Sequence, residues 1–131
     1  MIRWLDHVNL RTGDVERMVR FYVDVVGLVP GPRPAFDFTG AWLYAGDRPV
    51  VHLVGEPGTV SGASPGQRPS LEHFAFAADD LAGFIARLDA HGIAYRRALQ
   101  VGGARFLVDL RDPDGNRLHV DFDATTGSPP G

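Results

Sequence analysis

Four of the five histidines in this chain stand in two pairs that copy each other. His7 lies in Leu5-Asp6-His7-Val8-Asn9-Leu10, and His73 lies 66 residues later in Leu71-Glu72-His73-Phe74-Ala75-Phe76. His52 lies in Val50-Val51-His52-Leu53-Val54, and His119 follows 67 residues on in Arg117-Leu118-His119-Val120-Asp121. Neutral imidazole is a common ligand for zinc, iron, nickel and copper. One histidine on a strand is most simply a hydrogen-bonded core or surface residue. Four at matched repeat positions point instead to a metal site made from duplicated halves. The fifth, His91 in Asp89-Ala90-His91-Gly92, has no repeat partner. It reads as a structural residue at a helix C-terminus, where positive charge is favoured.

The elements that must carry these imidazoles repeat too. Val15, Met18, Val19 and Tyr22 form an i, i+3, i+4, i+7 stripe, one face of a helix over 14–26. Leu81, Phe84, Ile85 and Leu88 repeat it in a helix over 80–90. Asp14 and Asp79 stand where N-caps belong, and Gly27 and Gly92 suit the left-handed residue that closes a helix. Around the first helix, strands are expected at 4–10, 36–38, 41–45 and 49–54. Around the second they are expected at 71–77, 94–99, 104–110 and 117–123. Each half is therefore a βαβββ unit. The Gly-, Pro- and Ser-rich stretch 56–70 reads as a linker between module one (3–55) and module two (71–124). The small, polar tail 124–131 is expected to fray. Strand alternation puts Val8 and Leu10 against the helix and Leu5, His7 and Asn9 on the opposite face. His52 and His119 fall on the corresponding faces of their strands. If each sheet curls with its helix outside, all four imidazoles point into one concave surface.

Composition narrows the classes. A hydrophobic share of 44% and a charged share of 22% suit one compact globular domain spanning 1–131. The net charge of −3 and the lack of a basic stripe argue against a nucleic-acid partner. No apolar run is long enough to cross a bilayer, so no membrane partner is expected. Met1-Ile2-Arg3-Trp4 leads straight into a strand without a signal-peptide pattern, and the expected location is cytoplasmic. With no cysteine there is no thiolate ligand, cysteine nucleophile or disulfide.

Together these residues resemble the vicinal oxygen chelate superfamily. That group holds lactoylglutathione lyase, extradiol dioxygenases, methylmalonyl-CoA epimerase and the fosfomycin and bleomycin resistance proteins. The resemblance covers roughly residues 3 to 123. It rests on Leu5-Asp6-His7-Val8, the Arg20-Phe21-Tyr22 helix ending at Gly27-Leu28, and Ala41-Trp42-Leu43-Tyr44. It rests also on His52-Leu53, Leu71-Glu72-His73 and Asp112-Pro113-Asp114-Gly115-Asn116. It implies an α+β fold of two βαβββ modules whose curled mixed sheets form a cup around a divalent metal. The ligand positions it implies are His7, His52, His73 and His119. The family usually has a glutamate three residues past the Asn of the Asp-Pro-Asp-Gly-Asn turn, where this chain has His119. It often has glutamate or glutamine where this chain has His52.

Four neutral imidazoles leave the metal's charge uncompensated, so a bidentate, anionic oxygen ligand would be attracted strongly. The metal-bound carboxylate that family isomerases use as a base is missing. Asp121, one strand period beyond His119, is the nearest replacement. Trp42 and Tyr44 share parity and are expected to line the cavity with Asn9. Arg105, and with it Arg117, is a candidate to hold an anionic substrate. The Asp112–Asn116 run lacks the spacing and terminal glutamate of a calcium loop and reads as a turn. The expected function is a metal-dependent isomerase, lyase, epimerase or dioxygenase acting on neighbouring oxygens of a small substrate. One divalent ion per site is expected, with zinc, iron, nickel and manganese all open. The rival is a binding protein without turnover, of the bleomycin-resistance kind. The family resemblance also implies a homodimer, with modules paired within one chain or swapped between two.

Overall fold

A computed structural model of the protein describes residues 1–59, 68–100 and 102–123. The middle of the expected linker and the expected tail lie outside the described residues. The chain divides into two compact units, Met1–Ser61 and Gly62–Gly131, and each builds its own four-stranded mixed sheet. The fold is α+β with two βαβββ modules, as the repeat predicts.

In the first unit β1 (Val8–Thr12) leads to helix α1 (Val15–Arg20). The strands β2 (Val29–Gly31), β3 (Gly40–Ala45) and β4 (Arg48–Gly55) follow. The sheet order is β1-β4-β3-β2, with β1 parallel to β4 and the other pairs antiparallel. The second unit repeats this with β5 (Phe74–Ala78), α2 (Leu81–Ala90), β6 (Tyr95–Leu99), β7 (Arg105–Arg111) and β8 (Arg117–Asp123). Its order is β5-β8-β7-β6, again with one parallel pair.

Alternation decides which face is core. Leu10, Leu43, Val51 and Leu53 are buried with Met18, Tyr22 and Val25 of the helical segment. In the second unit Val108, Leu110, Leu118, Val120 and Phe122 are buried with Leu81, Phe84 and Leu88. The Phe84 and Phe122 rings meet at 5.7 Å, which seats α2 on β8. Each such side chain contributes about 1.5–3 kcal/mol by leaving water. The odd-numbered residues between them, His119 and Asp121 included, are left on the other face.

Several expected boundaries move. The expected first helix is α-helical only to Arg20 and continues as a wider π-helical turn over Phe21–Val26. That turn buries Phe21, Tyr22 and Val25, and it ends when Gly27, at φ 96°, donates to the Tyr22 carbonyl. Asp14 caps the first helix as expected, its carboxylate accepting from the Arg17 amide at 3.0 Å. The second cap is Asp80, not Asp79. Asp80 takes a left-handed conformation, which Asp tolerates better than most residues, and accepts from Gly83 at 3.0 Å. The strand expected at 36–38 does not form. The outer strand is Val29–Gly31, where Pro30 is tolerated because an edge strand leaves one N–H side unpaired. Tyr44 ties the two together: its hydroxyl donates to the Pro32 carbonyl, and its ring fills the space above Gly31.

Candidate functional site

Both leading histidines lie one residue before a strand rather than within it, since β1 starts at Val8 and β5 at Phe74. An acidic neighbour sets each ring. Asp6 Oδ2 accepts from His7 Nδ1 at 2.8 Å, and Glu72 Oε1 accepts from His73 Nδ1 at 3.2 Å. A carboxylate can only accept here, so Nδ1 carries the proton and Nε2 keeps its lone pair free. This carboxylate–imidazole arrangement orients metal-binding histidines in general.

The inner histidines come from the last strand of each unit, on the face away from the helix. His7 stacks on His52 with ring centroids 3.8 Å apart and planes 10° apart. His73 stacks on His119 at 4.1 Å and 18°. The stacks join His7 to His52 and His73 to His119, contacts that the repeat did not anticipate. Among the described residues, however, no three His, Cys, Asp or Glu side chains gather into one ligating cluster.

The two pairs have different surroundings. His52 is buried, stacks on Trp42 at 4.0 Å on its second face, and sends Nε2 to the Pro49 carbonyl at 3.1 Å. Trp42 is its cross-strand partner, which explains the stack. Burial holds the His52 pKa below its ordinary value, and the charge of His7 lowers it further. His119 is also held below its ordinary value, first by burial and then by His73. Among the described residues its buried Nε2 has no hydrogen-bond partner, and Asp109 Oδ1 lies 3.7 Å away. Asp121 Oδ1, two residues along the same strand face, also lacks a hydrogen-bond partner among the described residues.

A charged network lies beside the second pair. Arg117 donates twice to Asp109, at 3.0 Å from Nε and 3.0 Å from Nη2, and once to Glu72 at 2.9 Å. Arg96 adds a bond to Asp109 at 3.0 Å. Burial alone would raise the Asp109 carboxyl, but the two guanidinium partners outweigh it and the net shift is downward.

The other expected residues are spread more widely. Asn9 is exposed opposite His52 in the β1–β4 register. Tyr44 is committed to the β2 edge. Arg105 reaches Asp121 Oδ2 only at 3.8 Å and is half exposed. His91 caps the end of α2. Asp112 closes the turn before β8, accepting from the Asp114 and Asn116 amides at 2.9 Å each, as a turn and not as a cation loop. The roles of Asp6, Glu72 and Asp109 were not anticipated. An acidic residue directly before each repeated histidine was the available signal for the first two.

The imidazoles fit a divalent metal by chemistry. His7 and His73 present free Nε2 atoms held in orientation by carboxylates, and His119 has an orphaned buried nitrogen.

The description Glyoxalase/Bleomycin resistance protein/Dioxygenase superfamily belongs to the family model that matches residues 4–120. The chain belongs to this superfamily, whose members typically bind a divalent metal and small-molecule substrates. It is 30% identical over 120 residues to glyoxylase I 4 of Arabidopsis thaliana, covering 88% of this chain and 68% of that protein. It is 30% identical over 122 residues to glutathione transferase FosA of Serratia marcescens, covering 92% and 81%. Among solved structures, a glyoxalase/dioxygenase from Nostoc punctiforme shares the fold with a TM-score of 0.78 at 22% identity, covering 92% of this chain and 91% of that one. A glyoxylase/bleomycin resistance protein/dioxygenase domain from Frankia sp. EAN1pec does so with 0.76 at 19%, covering 94% and 99%. Among the described residues no helix is long and apolar enough to cross a membrane.

Proposed function

We propose that this protein is a divalent-metal-dependent enzyme acting on a small, anionic substrate with two neighbouring oxygens. The repeated Asp6–His7 and Glu72–His73 dyads carry the reading, because each fixes an imidazole in the tautomer that a metal needs. One ion per site would be held by imidazoles drawn from the His7/His52 and His73/His119 pairs. When bound it would supply Lewis-acid stabilisation of an oxyanion or enolate. Asp121 offers the proton acceptor: its Oδ1 has no hydrogen-bond partner among the described residues, and it shares a strand face with His119. Arg105, 3.8 Å from that carboxylate, and Asn9 would contact substrate, with Trp42 forming a wall. The two 30% relatives are named for a glyoxylase and a glutathione transferase, which supports lyase, isomerase or group-transfer chemistry over oxygenation. The proposal includes a cytoplasmic homodimer.

The test is metal titration of tag-free protein. Wild type and His91→Ala should bind about one divalent ion per pair of modules, and His7→Ala and His73→Ala should bind far more weakly. Loss of the ion in His91→Ala alone would overturn the site. Wild-type protein that takes up no metal yet binds small molecules would favour the binding-protein reading.

A further inference from the structure

We propose that the cleft beside the start of β6 is an oxyanion-binding site, in which Arg96 and Arg111 hold a carboxylate or phosphate group of a small ligand. The inference deepens the proposed function and rests on it for the anionic substrate, but its geometry lies within the second unit alone. There residues 92–96 line a cleft of about 550 Å³ together with Asp109, Arg111 and Arg117. Ligand pockets commonly hold about 300–1,000 Å³, so the space suits a small molecule.

Strand register gathers the charges. Arg96 stands opposite Asp109, and Asp109 opposite His119, while Arg111 stands opposite Arg117. Directly opposed residues project from the same face of a sheet, so both arginines share the face of His119. Asp109, the one carboxylate among the lining residues, is already neutralised. It accepts two hydrogen bonds from Arg117 at 3.0 Å each, and Arg117 gives its third to Glu72 at 2.9 Å. Arg117 thus has little left for a ligand. Arg96 gives Nη2 to Asp109 at 3.0 Å, and Arg111 gives Nη1 to the Gly115 carbonyl at 3.0 Å. A guanidinium carries five N–H groups in a planar fork, so each of these two keeps donors for a second acceptor. With Asp109 matched by Arg117, the lining carries an excess of positive charge in a chain whose net charge is −3. Such forks meet two oxygens of one carboxylate or phosphate in parallel, which fixes the orientation of the ligand as well as holding it.

The experiment uses metal-free protein, so that it stands apart from the metal titration above. Nitrogen-15 amide spectra are followed while succinate, or separately inorganic phosphate, is added at constant ionic strength set with sodium chloride. Wild type should show saturable shifts at Gly92, Ile93 and Ala94 and at the Nε–H groups of Arg96 and Arg111. The anion that saturates at the lower concentration identifies the group as carboxylate or phosphate. Arg96→Gln and Arg111→Gln should each weaken binding about fivefold, and the double variant should show no saturation. Arg87→Gln, which removes the same charge from α2, should bind as wild type does. Wild-type spectra that saturate with neither anion overturn the inference and leave the metal reading standing. Binding that survives in the double variant, or that falls as far in Arg87→Gln as in Arg96→Gln, also overturns it. Saturable anion binding by a protein that takes up no metal keeps the site and removes the metal reading.

Discussion

The guanidinium of Arg117 grips the carboxylate of Asp109 through two hydrogen bonds of 3.0 Å each. Its remaining nitrogen reaches Glu72, the residue that orients His73. The second half-site is thus braced by charge where the first is braced by the Trp42–His52 stack. A forked cation is required, because lysine cannot meet both carboxylate oxygens and a second carboxylate in fixed geometry. Arg117→Lys should destabilise the protein by about 1–2 kcal/mol, and Arg117→Met by about 2–4 kcal/mol, since Met leaves Asp109 half-neutralised in a mostly covered position. Urea unfolding reads both. Equal stability of the lysine variant and wild type would show that the fork contributes nothing.

Gly40 is a point of close backbone approach in the first sheet. A Cβ placed there would lie 2.3 Å from the Leu53 carbonyl oxygen, which belongs to the backbone of the neighbouring strand and cannot move aside. Gly40→Ala should therefore cost about 1–3 kcal/mol through displaced pairing of β3 with β4. Trp42, two residues along β3, would feel the shift, so its fluorescence should change alongside the melting temperature. An alanine variant with unaltered stability would place the two strands farther apart than described.

Much of this was legible in the sequence because periodicity and repetition are local. The 3.6-residue stripes located both helices, and the matched histidines marked the four imidazoles, though not that they stack two by two. What the sequence hid depends on partners distant along the chain. Phe36 and Phe38 alternate like a strand, yet Val29–Gly31 takes the edge, held by Tyr44 across the turn. The Asp79–Asp80 pair offers two adjacent carboxylates, and the second takes the cap from a left-handed backbone conformation that the sequence does not announce. Equal histidines also concealed unequal roles. His52 and His119 match in sequence position, but Pro49 accepts from Nε2 of one, while Nε2 of the other has no hydrogen-bond partner among the described residues.

The inner imidazoles make stability of the metal-free protein depend on pH. Burial holds His52 and His119 below the ordinary value of 6.5 in the folded state. As the pH falls through that value, the unfolded chain takes up protons at these residues before the folded protein does. The unfolded state then binds more protons, so stability rises with pH across this window and is lost as pH falls below about 6.5. Asp109 adds nothing there, since its lowered pKa costs stability only at acidity beyond the usual carboxylate range. Denaturant midpoints of metal-free wild type should drop below that pH, and His119→Asn should show a shallower slope. Identical slopes would remove His119 from the linkage.

The proposed homodimer makes its own prediction about how the halves are supplied. If each site takes its first module from one chain and its second from the other, the His7 and His73 defects can be sorted into a single site. A heterodimer of a His7→Ala chain with a His73→Ala chain would then hold one doubly damaged site and one intact site. After unfolding and refolding an equal mixture, half of the dimers are heterodimers, so about a quarter of wild-type metal sites should return. Pairing within each chain places one defect in every site, and mixing recovers nothing. Each variant refolded alone sets the baseline. Sedimentation fixes the assembly independently: a chain that stays monomeric at micromolar concentration with full metal occupancy rules out the dimer in either form.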